Sequence, residues 1–352
     1  MKGIARKMMF VTSICCCVLY WAEQPAMSQS GDKQNSSGHS EPVRKRSLIR
    51  SSSKGLTRFQ MKNVDFHTED TIVYRIRTLH GVLLRSNKAT PPTFDDKRSF
   101  ILKIESGIVG LRADTLTDLM NNYVFAYPKA PLKDFSITTK ENQIKMEGKM
   151  HKLAWVPFEI LGDLSPTPDG KIRLHPTSIK AEGIPVKGLM HVFGVELDEL
   201  IKTREERGVK IDDNDIIMDP ERITPAPQIQ GRITAVQIEG DEVIQFFGPD
   251  NRSYGRDTTR ATDLHPKGSG YMYFRGGTIR FGKLTMNNAD LKIVDANPKD
   301  VFDFSLDHYN RQLVAGYSKN TARYGLVTYM PDYYKLRDKQ TESRLMGVRR
   351  KR

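Results

Sequence analysis

The chain of 352 residues holds three cysteines, and Cys15, Cys16 and Cys17 stand side by side in one apolar stretch. That placement excludes a disulfide framework and a dispersed thiolate metal site, which need cysteines spread along the chain. Tryptophan is scarce as well, with only Trp21 and Trp155. The eight histidines (His39, His67, His80, His151, His175, His191, His265 and His308) never fall in a His-x-x-x-His or His-Glu-x-x-His spacing, so none reads as a zinc ligand. Past residue 28 no apolar run approaches the roughly 20 residues of a spanning helix. Gly268-Ser269-Gly270 lacks the residues that separate Ser from each Gly in a nucleophile elbow, and reads as a loop.

What is present supports a folded protein. The chain is 38% hydrophobic and 28% charged, enough for a sizeable core in one or two domains. Lys and Arg outnumber Asp and Glu by 55 to 42, and the formal net charge of +13 makes a polyanion or an anionic membrane surface a partner worth testing. Residues 1–28 read as a signal peptide: Lys2, Arg6 and Lys7 precede an apolar segment over 8–22, and Ala26-Met27-Ser28 has a small-x-small cleavage pattern. A periplasmic or otherwise exported protein is expected. Lipoprotein anchoring is the weaker alternative, because Ile14-Cys15-Cys16-Cys17 only loosely resembles a lipoprotein box. Residues 29–57 read as a disordered basic linker containing Arg44-Lys45-Arg46, and 335–352 as a basic tail closing on Arg349-Arg350-Lys351-Arg352. Both segments are candidates for contact with an anionic membrane surface.

Between these ends, short alternating strands dominate. Phe135, Ile137 and Thr139 lead into a turn over 140–143 and return through Ile144 and Met146, which predicts a hairpin. Val236 and Ile238, then Ile244 and Phe246, repeat the pattern. Four short strands at 271–274, 278–281, 284–286 and 291–294, punctuated by Gly276-Gly277, Gly282-Lys283 and Asn287-Asn288, suggest a meander. Helical periodicity occurs twice. Leu116, Leu119, Met120, Tyr123 and Val124 form one stripe, with Asp114 or Thr115 as N-cap. Val186, Leu189, Met190, Phe193 and Leu197 form another, closed by Gly208, and a helix over most of 185–207 extends roughly 30 Å. The proline-rich stretch 219–227 is the best interior boundary, dividing an α+β region at 58–218 from a β-rich continuation or second module at 219–334. The predicted fold is α+β: a strongly curved antiparallel sheet wrapped around the long amphipathic helix, with additional C-terminal antiparallel strands.

Chemical motifs are weak. Gly277 to Lys283 has the spacing of a phosphate loop, but Leu284 stands where Ser or Thr should follow and no helix comes next, so a basic strand is the reading. Tyr271, Tyr273 and Phe274 beside Arg275 offer aromatics next to bases, but no ribonucleoprotein motif accompanies them and no nucleic-acid partner is expected. Asp212, Asp213, Asn214 and Asp215 lack the glycine and distal glutamate of an EF-hand loop, and read as a solvated acidic turn. His308 beside Asp307 is the one pair that offers a tuned base, with no nucleophile placed by sequence. No catalytic residue, metal ligand or cofactor is assigned. The apolar residues Leu116, Met120, Phe135, Ile137, Ile144, Met146, Trp155, Phe158, Val186, Leu189, Met190, Phe193 and Leu197 read either as an ordinary core or as the lining of a groove for acyl chains. In such a groove each buried methylene contributes about 0.8 kcal/mol.

The order of features over residues 96–247 resembles the bacterial phospholipid-binding proteins of the tubular lipid-binding superfamily. The resemblance rests on Phe100-Ile101-Leu102-Lys103-Ile104, on Leu116-Thr117-Asp118-Leu119-Met120, on Pro131-Leu132-Lys133-Asp134-Phe135, on Pro157-Phe158-Glu159-Ile160, on Gly170-Lys171-Ile172-Arg173-Leu174 and on Gly183-Ile184-Pro185-Val186. It implies a curved sheet around a helix, a lipid-accessible groove, phospholipid or another acyl lipid as partner, and lipid shuttling without catalysis. Two alternatives stand beside it: an envelope scaffold that binds anionic polymer through a basic surface, and a hydrolase of envelope lipid using His308 and Asp307.

Overall fold

The computed structural model describes residues 55–151, 154–181, 207–213, 215–248, 268–321 and 325–337. The amino-terminal half carries β1 (Thr57–His67), β2 (Val73–Arg85), β3 (Phe100–Arg112), helix α1 (Ala113–Leu119), which continues into one wider turn (Met120–Val124), β4 (Leu132–Lys140), β5 (Gln143–His151), β6 (Trp155–Pro166) and β7 (Ile172–Ala181). There follow β8 (Val209–Asp212), β9 (Asp215–Met218), α2 (Pro220–Ile223), β10 (Gln228–Gln230), β11 (Ile233–Glu239) and β12 (Glu242–Phe247). The rest comprises β13 (Tyr271–Phe281), β14 (Leu284–Asp295), β15 (Phe302–Ser305), α3 (Tyr309–Ala315), β16 (Tyr317–Asn320) and β17 (Leu326–Met330).

The strands form two open sheets. The larger runs β11-β12-β3-β2-β1-β13-β14-β17-β16, with β10 beside β3 and β15 beside β1, and the smaller runs β4-β5-β6-β7-β9-β8. Strands from 219–334 are therefore hydrogen-bonded into the same sheet as the first three. Most pairs are antiparallel, but β10 with β3, β15 with β1 and β14 with β17 are parallel.

Strand β1 shows how the sequence shapes the larger sheet. Thr57, Phe59 and Met61 point to the core, and then the inward set shifts to Val64 and Phe66. Strict alternation cannot make that shift. Asn63 makes it, standing at φ 53° in the left-handed region that asparagine tolerates better than most residues. The slip coincides with a change of neighbour: β1 pairs with β13 from Arg58 to Lys62, and with β15 from Val64 to His67.

The hairpin expected around 140–143 forms as β4 and β5, with Glu141 at φ 54° in the turn. The one around 239–242 forms as β11 and β12. The predicted meander is simpler than its punctuation suggested. Gly277 and Asn288 both take positive φ inside two long strands whose register runs unbroken past them, and only Gly282 turns the chain. Helix α1 docks on β4 through polar side chains: Thr117 Oγ1 accepts from Ile137 N at 2.9 Å, and the Asn121 side chain brackets the backbone of Phe135 at 2.9 Å on both sides.

The α+β architecture with a sheet curled around a long helix is not formed. Both sheets are open, and among the described residues the longest helical run is α1 with its wider turn, twelve residues or about 18 Å. The second helical stripe, with Val186, Leu189, Met190, Phe193 and Leu197, lies outside the described residues. The apolar faces of the sheets bury each other instead. Leu116, Leu164, Met218 and Val236 pack against both the cluster of the larger sheet and that of the smaller. The resemblance to tubular lipid-binding proteins fails with that architecture.

At the far end of the larger sheet an aromatic knot closes the core. The Phe94 ring lies 5.1 Å from Phe274 and 5.2 Å from Phe281, both edge-on, and 5.7 Å from Tyr309. Phe94 sits in the connection between β2 and β3, so its burial ties a loop to strands almost 200 residues away. Truncating Phe94→Ala is expected to cost about 3–5 kcal/mol, read as a shift of the urea midpoint. Lys180→Ala, on the exposed face of β7, is expected to shift it by less than about 0.5 kcal/mol.

Candidate functional site

The residues expected to line a groove for acyl chains mostly lie between the sheets. Leu116, Met120, Ile137, Ile144 and Met146 border an apolar cavity of about 70 Å³. Phe135 and Phe158, 6.1 Å apart and edge-to-face, border with Met120 and Met146 a smaller one of about 30 Å³. Trp155 is on the surface, 39% exposed, under the Lys133 ammonium at 4.2 Å. A cavity of about 150 Å³ holds one benzene, so the larger void, at 70 Å³, does not admit an acyl chain. The expectation of a lipid carrier is corrected on this ground: opposing side chains fill the space a guest would need.

The polar chemistry lies on the other face of the larger sheet. Where Val64, Phe66, Phe302 and Phe304 point to the core, the intervening Asp65, His67, Asp303 and Ser305 point away. Asp65, His67 and Asp303, with Arg75 of β2 opposite Asp65, form the floor of a polar cleft of about 590 Å³, walled by Asp300, Tyr334 and others. Asp65 and Asp303 are direct cross-strand neighbours, a destabilising pairing of like charges. An arginine and a histidine face the two carboxylates. Arg75 grips Asp65 with Nε at 3.1 Å and Nη2 at 3.2 Å, and its Nη1 donates to Glu242 at 2.6 Å. His67 places Nε2 2.5 Å from Asp303 Oδ1, with Nδ1 3.4 Å from the Asp70 carbonyl. Both ring nitrogens thus face oxygens, and neither is left facing the cleft.

Beside this floor, β14 and β17 run parallel and end together, with Asp295 paired to Met330. Asp295 is the last residue of β14, Asp332 follows β17 by two residues, and Asp300 stands in the loop before β15. These three aspartates bring carboxylate oxygens within 4.8 Å of one another. Asp295 and Asp332 are fully buried, and Asp300 is exposed. Asp295 Oδ1 accepts from Asn297 N at 2.7 Å, whereas its Oδ2 is buried without a hydrogen-bond partner. Asp332 Oδ1 accepts from Asp303 N at 3.1 Å, which joins the cluster to the His67 pair. Asp300 accepts from Asn297 Nδ2 at 2.9 Å and Tyr334 Oη at 3.3 Å. Lys335 supplies the nearest positive charge, 2.6 Å from Asp332 Oδ2 and 3.9 Å from Asp300 Oδ2. Burial, reinforced by the neighbouring Asp332 and Asp300, pushes the Asp295 carboxyl up to about 7.

No local spacing announces this grouping. Asp295 and Asp300 stand five positions apart at the two ends of a proline-containing stretch, and Asp332 enters from beyond another strand. The one signal in the sequence is an acid that closes the apolar run Leu291, Ile293, Val294. His308 and Asp307 do not form the pair considered from sequence: Asp307 binds Lys97 Nζ at 2.9 Å, while His308 stacks on Tyr333 at 5.0 Å and faces Asp70. Asp212 and Asp215 pair with each other across β8 and β9. No family model matches the chain, and no curated protein or solved structure matches it.

The raised pKa of Asp295 has a definite sign. Between the ordinary carboxylate value, about 4, and about 7 the folded chain holds a proton that the unfolded chain has lost. Stability therefore falls as pH rises through that window and levels off above it. Asp295→Asn removes the penalty. The variant is expected to melt above the wild type at pH 8 in chelator, with the difference vanishing at pH 4; equal melting temperatures at pH 8 would show that the buried carboxylate carries no such cost.

Proposed function

We propose that the carboxylate cluster binds a hard divalent cation and that the protein is a cation-dependent hydrolase of anionic esters. The observation that carries this reading is Asp295 Oδ2, a buried, partnerless oxygen among three carboxylates beside a polar cleft. Leaving such an atom unsatisfied is expensive, and a cation satisfies it. An all-oxygen donor set suits calcium or magnesium over softer metals. A cation held there supplies charge for a bound oxyanion and acidifies a coordinated water. Asp300, exposed and on the cleft side, is the carboxylate best placed to take a proton. Arg75, Arg112 and Arg337 line the same cleft beside six aspartates, so an anionic substrate would be held there by the bound cation, and the net charge of +13 favours its approach.

A second reading keeps the cation without turnover: the cation bridges the protein to an anionic polymer, which the same positive charge also favours. Protein stripped with chelator is to be titrated with calcium and magnesium and assayed on bis(p-nitrophenyl) phosphate and p-nitrophenyl phosphate. Cation-dependent hydrolysis is expected, falling by about 100-fold or more in Asp295→Asn and Asp332→Asn. Cation binding with no hydrolysis would leave the polymer reading, checked by calcium-dependent retention on an anionic polysaccharide matrix. Absence of cation binding would remove both.

A further inference from the structure

The cluster already holds a cation of the protein's own. Lys335 lies in the helical turn after β17, and its ammonium sits 2.6 Å from Asp332 Oδ2 and 3.9 Å from Asp300 Oδ2. The ammonium also lies over the Tyr334 ring, 5.1 Å from its centre. The same turn is fastened to the cleft by two further bonds. Tyr334 N donates to Asp303 Oδ2 at 2.8 Å, and Tyr333 Oη donates to Asp70 Oδ1 at 2.9 Å. Lys335 nevertheless leaves Asp295 untouched, because Oδ2 of that residue has no partner. One ammonium on a flexible stem, bonded to Asp332, therefore answers only part of a three-carboxylate site.

We infer that Lys335 is a built-in competitor for the cation site: a divalent cation enters by displacing its ammonium from Asp332 and Asp300 and takes up Asp295 as well. This inference rests on the cation reading above and adds its regulation. A point charge on a long stem is easily withdrawn, since its three donors are satisfied by water once it leaves. The two tyrosine bonds hold the backbone of the turn in place while the side chain moves. Occupancy of the site and exposure of Lys335 then become two readings of one exchange, and Asp332 and Asp300 keep a positive neighbour in both states.

The test is a calorimetric titration of the full chain with calcium, comparing wild type with Lys335→Met, which keeps the stem and removes the charge. Lys299→Met serves as control: it removes one positive charge from an exposed position beside Asp300. Binding is expected to tighten about tenfold in Lys335→Met, the scale set by losing one part-buried competing ion pair, and less than about twofold in Lys299→Met, where exposed charge is screened. Reductive methylation read by mass spectrometry supplies a second measure: Lys335 labelling in wild type is expected to rise several-fold on adding calcium, and not to rise in Asp295→Asn. Wild-type binding with no tightening in Lys335→Met, or equal tightening in both variants, overturns the inference while leaving the cation site standing. No calcium binding in wild type or in Lys335→Met overturns both. Binding that appears only in Lys335→Met supports the inference in its strongest form, with the lysine excluding the cation.

Discussion

Strand β1 exchanges partners halfway along its length, and the cleft exists because of that exchange. Up to Lys62 it is bonded to β13, and from Val64 onward to the parallel β15. Asn63 makes the handover possible by taking a left-handed conformation that shifts the side-chain alternation by one. Gly270, at the entrance to β13, passes so close to the Asn63 carbonyl that a Cβ there would lie 2.3 Å from it. The Gly270 carbonyl in turn accepts from Asp295 N at 3.0 Å. One backbone irregularity thus opens room for β15, aims Asp303 at His67 and positions the end of β14 with its buried acid.

The two faces of the larger sheet divide the work. The inner face is apolar and is covered by the smaller sheet, where opposing side chains interdigitate and leave only small dry voids. The outer face near β15 is crowded with charge: Asp65 against Asp303, Arg75 between Asp65 and Glu242, and His67 against Asp303. Pairing of that kind roughly offsets the desolvation it requires, so these groups specify geometry more than they add stability. Asp295 differs from Asp303: both have a buried oxygen without a hydrogen bond, but that of Asp303 faces His67, whereas Asp295 Oδ2 has no basic side chain in contact. A fold that keeps such a group departs from local consistency, and departures of that kind concentrate where ligands bind.

The interior is a sheet-on-sheet core for a reason visible in the packing. The first helix is anchored by Thr117 and Asn121 to the edge strand β4, which places it at the end of the interface. The apolar stripe of Leu116, Met120 and Val124 therefore fills a gap between sheets, where a longer helix at the centre of a curled sheet would have formed a lining. Side chains that qualify equally for a groove and for a core become a core when a second sheet supplies the opposing wall.

Period-two alternation and turn residues were enough to determine the β4–β5 and β11–β12 hairpins, and the 3.6-residue stripe from Leu116 to Val124 was enough to place a helix there, though not its widening from Met120 to Val124. These features depend on neighbours in sequence, whose side-chain directions follow from the backbone period alone. The tertiary structure alone decided that Gly277 and Asn288 take positive φ inside continuous strands, that the two sheets close on each other, and that Asp295, Asp300 and Asp332 meet. Those outcomes depend on which strands lie side by side over more than two hundred residues of sequence, as β1 does with β13 and β15. Local periodicity carries no term for such pairing, so a carboxylate at the end of an apolar strand looks the same in sequence whether or not two others wait beside it.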